Sequence, residues 1–253
     1  MTGEVREAVR EHYARLARGI SSSACCGDGG CCSPGESSDG GAAPDAAYSP
    51  GQLQEVGLEA GVSLGCGNPT LLADLRPGQV VLDLGSGGGL DVLLSARRVA
   101  PGGQAYGVDM TDEMLELAER NRAQAGIDNA TFLKGTIERV PLPDRSVDVV
   151  ISNCVINLAE DKGAVLREAA RVLRSDGLLA VADMVRIEDL APDVQQTVDA
   201  WAGCIAGSIP VDDYRSQLGA AGFDEVGIEV HAEHQLEGGG RIGSAYIRAR
   251  RTR

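Results

Sequence analysis

The most reactive groups in this 253-residue chain are seven cysteines, and they fall into two sets. Cys25, Cys26, Cys31 and Cys32 form two adjacent pairs, whereas Cys66, Cys154 and Cys204 stand far apart. An odd number of thiols cannot all pair, and the N-terminus carries Glu4, Glu7 and Glu11 among arginines with no apolar signal core. The expectation is a cytoplasmic protein whose thiols stay reduced, free for redox chemistry or for soft, thiophilic elements. A second reactive feature is the run Asp83-Leu84-Gly85-Ser86-Gly87-Gly88-Gly89 after the apolar Val80–Leu82. Glycines between a strand and a helix let a ligand approach the backbone N–H groups of the helix N-terminus. The dinucleotide pattern G-x-G-x-x-G does not fit, because the sixth position is Leu90 counted from Gly85 and Val92 counted from Gly87. No lysine follows as a Walker loop requires. Asp109 ends the next apolar run, where a carboxylate can accept both hydroxyls of a ribose or cap the following helix.

These residues need a scaffold, and the periodicity supplies one. Val5, Val9, Tyr13, Leu16 and Ile20 make one apolar helix face. From Ser21 to Pro50 there is no Ile, Leu, Val, Met or Phe, and 20 of 30 residues are Ser, Gly, Cys or Pro, so a loop is expected there. Beyond residue 80, strands are expected at Val80–Leu84, Ala105–Met110, Thr131–Lys134, Val147–Asn153 and Leu178–Val185. Helices are expected at Leu90–Val99, from about Asp112 with Thr111 as N-cap, and around Lys162–Leu173. Two further strands are expected at Val226–Val230 and Ala245–Arg248, after a mostly helical stretch from Ile187 to Gly222. The β-α-β rhythm predicts an α/β, doubly wound, mostly parallel sheet. The division is a helix over 1–20, a Cys/Gly/Ser-rich segment over 21–50, a cofactor-binding domain over 51–186 and a cover region over 187–253.

Composition excludes other classes. A formal charge of −14 repels nucleic acid, and one Trp, five Tyr and two Phe leave little for base stacking. No apolar run approaches the ~20 residues of a membrane span. Glu160-Asp161 begins a helix, where acids cap rather than catalyse. Trp201 is expected in the core beneath Cys204, and His231 and His234, three apart on a strand, take no role.

The glycine loop, in the form D-x-G-x-G-x-G, resembles the first motif of class I S-adenosylmethionine-dependent methyltransferases. The resemblance implies that Asp83, Gly85, Ser86 and Gly87 bind this cofactor, with Asp109 on its ribose and Met110, Thr136, Ile137 and Glu138 around its adenine. Glu138 read alone is equally a surface charge. The Asn/Asp-Pro-Pro-aromatic motif of amino-methylating nucleic-acid enzymes is absent; Ser152-Asn153-Cys154-Val155-Ile156-Asn157-Leu158 stands in its place. That heptapeptide, followed by Asp161-Lys162, resembles the arsenite S-adenosylmethionine methyltransferases. So do Gly65-Cys66-Gly67-Asn68-Pro69, Gly107-Val108-Asp109-Met110-Thr111 and Gly203-Cys204-Ile205-Ala206-Gly207.

The closer resemblance implies that Cys66, Cys154 and Cys204 bind arsenic(III) as three thiolates, with Asn153 at the cofactor. It also implies a redox-active cysteine at Cys25 or Cys26, with Cys26 the working assignment, and a thiol reductant such as thioredoxin or glutathione as co-substrate. The expected partners are arsenite or its thiol conjugates, with no nucleic acid and no membrane. A small-molecule C- or O-methyltransferase with incidental cysteines, or a non-enzymatic arsenite-sequestering protein, are the alternatives. A single buried cysteine is as often a small hydrophobe as a ligand.

Overall fold

Near-continuous apolar runs make β1 (Val80–Leu84) and β4 (Val147–Asn153) strands buried on both faces, and they pair in parallel at the middle of one sheet. The computed structural model describes residues 4–23, 48–57, 67–191, 201, 204–236 and 239–253. Cys25, Cys26, Cys31, Cys32 and Cys66 therefore lie outside the described residues. From β1 the chain steps outward through β2 (Gln104–Asp109) to β3 (Ala130–Lys134). It then returns past β1 to β4 and continues to β5 (Leu173–Arg186), all in parallel. The short β6 (Ile209–Pro210) also runs parallel to the end of β5. β8 (Arg241–Arg251) and β7 (Phe223–Gln235) close the far edge antiparallel, giving the order β3-β2-β1-β4-β5-β8-β7. Winding reverses between β1 and β4, so the loops leaving those two strands diverge and open a crevice at their carboxyl ends.

Local chemistry sets the helices that cover this sheet. α1 spans Glu4–Ser23, α2 Pro50–Glu55 and α3 Pro69–Leu72. α4 (Leu90–Val99) starts at Gly89, left-handed with φ 88°, and ends on Arg97 and Arg98, which complement the helix dipole. α5 (Asp112–Ala125) follows Thr111, whose side chain makes no cap bond; Asp112 and Glu113 in the first turn supply the favourable charge instead. α6 (Lys162–Val172) is capped by Asp161, whose carboxylate accepts the Ala164 N–H at 2.8 Å. α7 spans Val211–Ala220. Among the described residues no helix is long and apolar enough to cross a membrane.

Differences from the sequence reading have physical causes. β5, β7 and β8 are longer than their apolar centres. β7 is an edge strand whose exposed and half-buried residues alternate, so an apolar-run criterion sees only its middle. β5 begins at Leu173, directly after α6, across a register shift between Val147 and Val149 of its partner. The described part of 187–222 contains β6 as well as α7, a strand too short to leave a periodic signal. α1 runs on to Ser23, and Tyr48, inside the Ser/Gly-rich stretch, is buried against α4.

Candidate active site

The crevice at the β1–β4 switch point is a cleft of about 1030 Å³, part of it open to solvent. Asp83, Gly85, Ser86, Gly87 and Asn153 line its centre. Asp109, Met110, Thr136, Ile137 and Glu138 line the side beneath β2 and β3. One strand–loop–helix unit explains the convergence, because β1, β2 and β4 all end at the same level of the sheet.

Asp109 is held in place by two backbone donors. Its Oδ2 accepts from the Gly87 N–H at 2.9 Å and its Oδ1 from the Thr111 N–H at 2.8 Å, which pins the glycine loop to the start of α5. Burial raises its pKa, and those same N–H groups oppose the rise. Deeper in, Asp83 is almost fully buried, and its Oδ1 has no hydrogen-bond partner among the described residues. Burial pushes its pKa well above the carboxylate range, reinforced by Asp91 and Asp109. Burial raises Asp91 as well, opposed by hydrogen bonds from Tyr48 and Asn153. The floor of the cleft is thus a cluster of acids, suited to a cation and hostile to phosphate.

Asn153 joins this floor to the first cysteine segment. Its Nδ2 donates to the Gly67 carbonyl at 2.7 Å and to the Tyr48 hydroxyl at 2.9 Å, while its Oδ1 accepts the Gly67 N–H at 3.2 Å. Gly67, the residue after Cys66, lies so close to β5 that a Cβ would sit 2.5 Å from that of Ala182. Only glycine permits that approach. The Tyr48 hydroxyl, 2.6 and 2.7 Å from the two Asp91 oxygens, completes the network.

The two described cysteines meet beside the cleft. Cys154 leaves β4 in a left-handed conformation, φ 56°, with its N–H on the Ala182 carbonyl at 2.8 Å. Cys204 is also left-handed, φ 60°, and its Sγ lies 2.6 Å from the Cys154 carbonyl oxygen. Both are buried with Met184, Leu190 and Ile242, and Leu158 packs on this cluster while also lining the cleft. Cys204 is a free thiol, and Cys154 is disulfide-bonded. Burial pushes the Cys204 thiol pKa up; Asp183 adds to the rise and Lys162 opposes it. Trp201 is half-buried rather than core, because its ring lies over the Lys162 ammonium, 5.9 Å from nitrogen to centroid.

Residues 75–236 match a family model described as a methyltransferase domain. An arsenite methyltransferase from Halobacterium salinarum is 43% identical over 231 residues, which are 89% of this chain and 59% of that protein. Another, from Aquipseudomonas alcaligenes, is 34% identical over 236 residues, 87% of this chain and 62% of that protein. The crystal structure of an arsenic(III) S-adenosylmethionine methyltransferase from Chlamydomonas reinhardtii is 31% identical, with a TM-score of 0.68 over 81% of this chain and 75% of that one. The chain belongs to the arsenite S-adenosylmethionine methyltransferase family. It spans about three fifths of the length of the two arsenite methyltransferases from Halobacterium and Aquipseudomonas.

Some cleft residues escaped the motif reading of this arsenite methyltransferase relative. Arg6, Val9 and Tyr13 of α1 form part of the wall, and Arg6 pairs with Glu138 at 3.0 Å. Val9 and Tyr13 had registered only as an apolar helix face. Tyr48 is the one aromatic residue between 21 and 50, and that isolation was the available signal. Asp91 stands in the first turn of α4, where an acid is favourable in any case, and nothing in its spacing points to Tyr48.

Proposed function

We propose that this chain methylates trivalent arsenic, held by the thiolates of Cys66, Cys154 and Cys204, with S-adenosylmethionine as methyl donor. The observation that carries this reading is the contact between the Cys204 Sγ and the Cys154 loop at the wall of the cleft. S-adenosylmethionine supplies, when bound, a methyl group made electrophilic by a cationic sulfur. The cleft's residues fit its groups: Asp109 for ribose hydroxyls, Met110 and Ile137 for an apolar base, and Asp83, with one carboxylate oxygen unpartnered among the described residues, beside Asp91 for positive charge.

Three thiolates hold arsenic(III) as a pyramid whose apical lone pair is the nucleophile, so no side chain has to remove a proton. The protein's contribution is proximity and aim. Methylation leaves arsenic pentavalent, and two electrons from thiols restore the trivalent state while forming a disulfide. Cys26 belongs to the relay that passes this oxidation outward, and thioredoxin or glutathione reopens the disulfide by exchange.

The test is incubation of the reduced protein with S-adenosylmethionine, arsenite and a dithiol, with arsenic species separated by mass. Methylated arsenic accumulating in step with adenosylhomocysteine is expected. Arsenite binding without methylated product would indicate sequestration, and neither would indicate an ordinary methyltransferase.

The acids of the floor also predict a pH dependence. Their folded-state pKa values are raised, so acidification protonates them before ordinary carboxylates, and a cation then loses its counter-charge. The affinity for S-adenosylmethionine should fall as the pH drops through about 6, where Asp91 takes up its proton, by up to roughly tenfold per pH unit. Asp91 binds its proton more tightly in the folded chain, so its contribution to stability is full below its ordinary value of 3.8 and is lost as pH rises through about 6. Titration calorimetry across that range checks the first effect, and Asp91→Asn should flatten the curve.

A further inference from the structure

The cysteine pair rests on a buried polar network that no step above uses. Lys162 is 7% exposed, an unusual state for a lysine at the start of a helix. Its Nζ donates to the Ala159 carbonyl at 3.0 Å and to the Asn157 carbonyl at 3.4 Å, both in the loop that begins at Cys154. On its other side the ammonium faces the Trp201 ring, and the Trp201 carbonyl accepts the Cys204 N–H at 3.0 Å. The turn after Cys204 presses on the same loop. A Cβ on Gly207 would sit 1.9 Å from the Asn157 oxygen and 3.0 Å from the Trp201 ring. Beneath, the Asn157 Nδ2 donates to the Asp183 Oδ1 at 2.8 Å and to the Met184 carbonyl at 2.6 Å, and Asp183 is fully buried.

We infer that Lys162 is a positioning residue for arsenic binding, clamping the Cys154 loop and the Cys204 turn in one arrangement. This rests on the arsenic reading above. The clamp has one ammonium and three anchor points, two carbonyls on one cysteine's loop and an aromatic face on the other's segment. Burial lowers the Lys162 pKa, while Asp183 and Cys204 hold it up, so the charge is stabilised by the groups it organises. A neutral side chain there releases both carbonyls and leaves the Trp201 face without its cation, so the two sulfurs lose their common register. Val155, Leu158 and Ala159 of this loop also line the cleft, but the acids that face the cofactor, Asp83, Asp91 and Asp109, are held by other elements.

The experiment compares wild type, Lys162→Met and Lys162→Arg, measuring affinity for arsenite alone and for S-adenosylmethionine alone by calorimetry on reduced protein. Lys162→Met should weaken arsenite binding about 10- to 100-fold, the range typical when an outer-shell partner is lost. Cofactor affinity should stay within about twofold, and Lys162→Arg, which keeps charge and donors, should restore most of the arsenite affinity. If Lys162→Met does not fold, Lys162→Gln, which keeps a donor for the carbonyls, should show a smaller loss confined to arsenite. Wild-type arsenite affinity in a folded Lys162→Met or Lys162→Gln, or equal losses for both ligands, overturns the inference. Wild-type protein that does not bind arsenite overturns the arsenic reading itself, and the inference with it.

Discussion

Cys204→Ser is expected to lower arsenite turnover by at least about a hundredfold while S-adenosylmethionine affinity stays within about twofold. Serine keeps the size and the polar contact to the Cys154 carbonyl, so the turn should survive. What disappears is a soft thiolate, and a hard hydroxyl does not replace it for a thiophilic centre. With one of three ligands gone, arsenic is no longer fixed relative to the cleft, and a displacement of about 1 Å is enough to cost two orders of magnitude. Cofactor binding is spared because Cys204 does not line the cleft, and of the side chains clustered with it only Leu158 does. Steady-state rates with arsenite, alongside cofactor calorimetry, check both halves. A serine variant with wild-type turnover would remove Cys204 from the chemistry.

The opposite pattern is expected for Asp109→Ala. Here cofactor affinity should collapse, by about a hundredfold or more, with arsenite binding little changed. The carboxylate accepts from the Gly87 and Thr111 N–H groups, and hydrogen bonds to a charged acceptor are worth roughly 1.5–3 kcal/mol each. Alanine therefore frees the glycine loop from α5 and also removes the proposed cofactor contact. Separate calorimetric titrations with S-adenosylmethionine and arsenite measure the split. Tight cofactor binding by this variant would leave Asp109 as a helix-start residue only. Together the two variants dissect the site into an organic-cofactor half and a thiolate half.

The cleft lining was largely legible in the sequence, for a local reason. β1, the glycine loop and α4 are contiguous, and apolar runs broken by glycines set Val80–Leu84 and Leu90–Val99 to the residue. Parallel pairing then places Asp109 and Asn153 beside the loop through register alone. Tyr48 and Asp91 were not legible, because their bond joins residues 43 apart and begins in a stretch whose composition argues against burial. α1 was readable as a helix, yet which surface its apolar face covers depends on contacts with Met114 and Leu117 of α5. The meeting of Cys154 and Cys204, 50 residues apart, came from resemblance rather than periodicity. Lys162 was misleading in a simpler way, since lysine at a helix start ordinarily points to water, and only the free carbonyls of Asn157 and Ala159 turn it inward.

Both described cysteines occupy the left-handed backbone region, which costs a side-chain-bearing residue about 1 kcal/mol or more and costs glycine little. Glycine at 154 or 204 would relieve that strain only by emptying a buried site packed with Met184, Leu190 and Ile242, so packing holds both residues in a conformation they would not choose alone. Backbone strain and two thiols are thus tied to the same pair of residues, so stabilising substitutions are best sought elsewhere, such as at the exposed positions of β7.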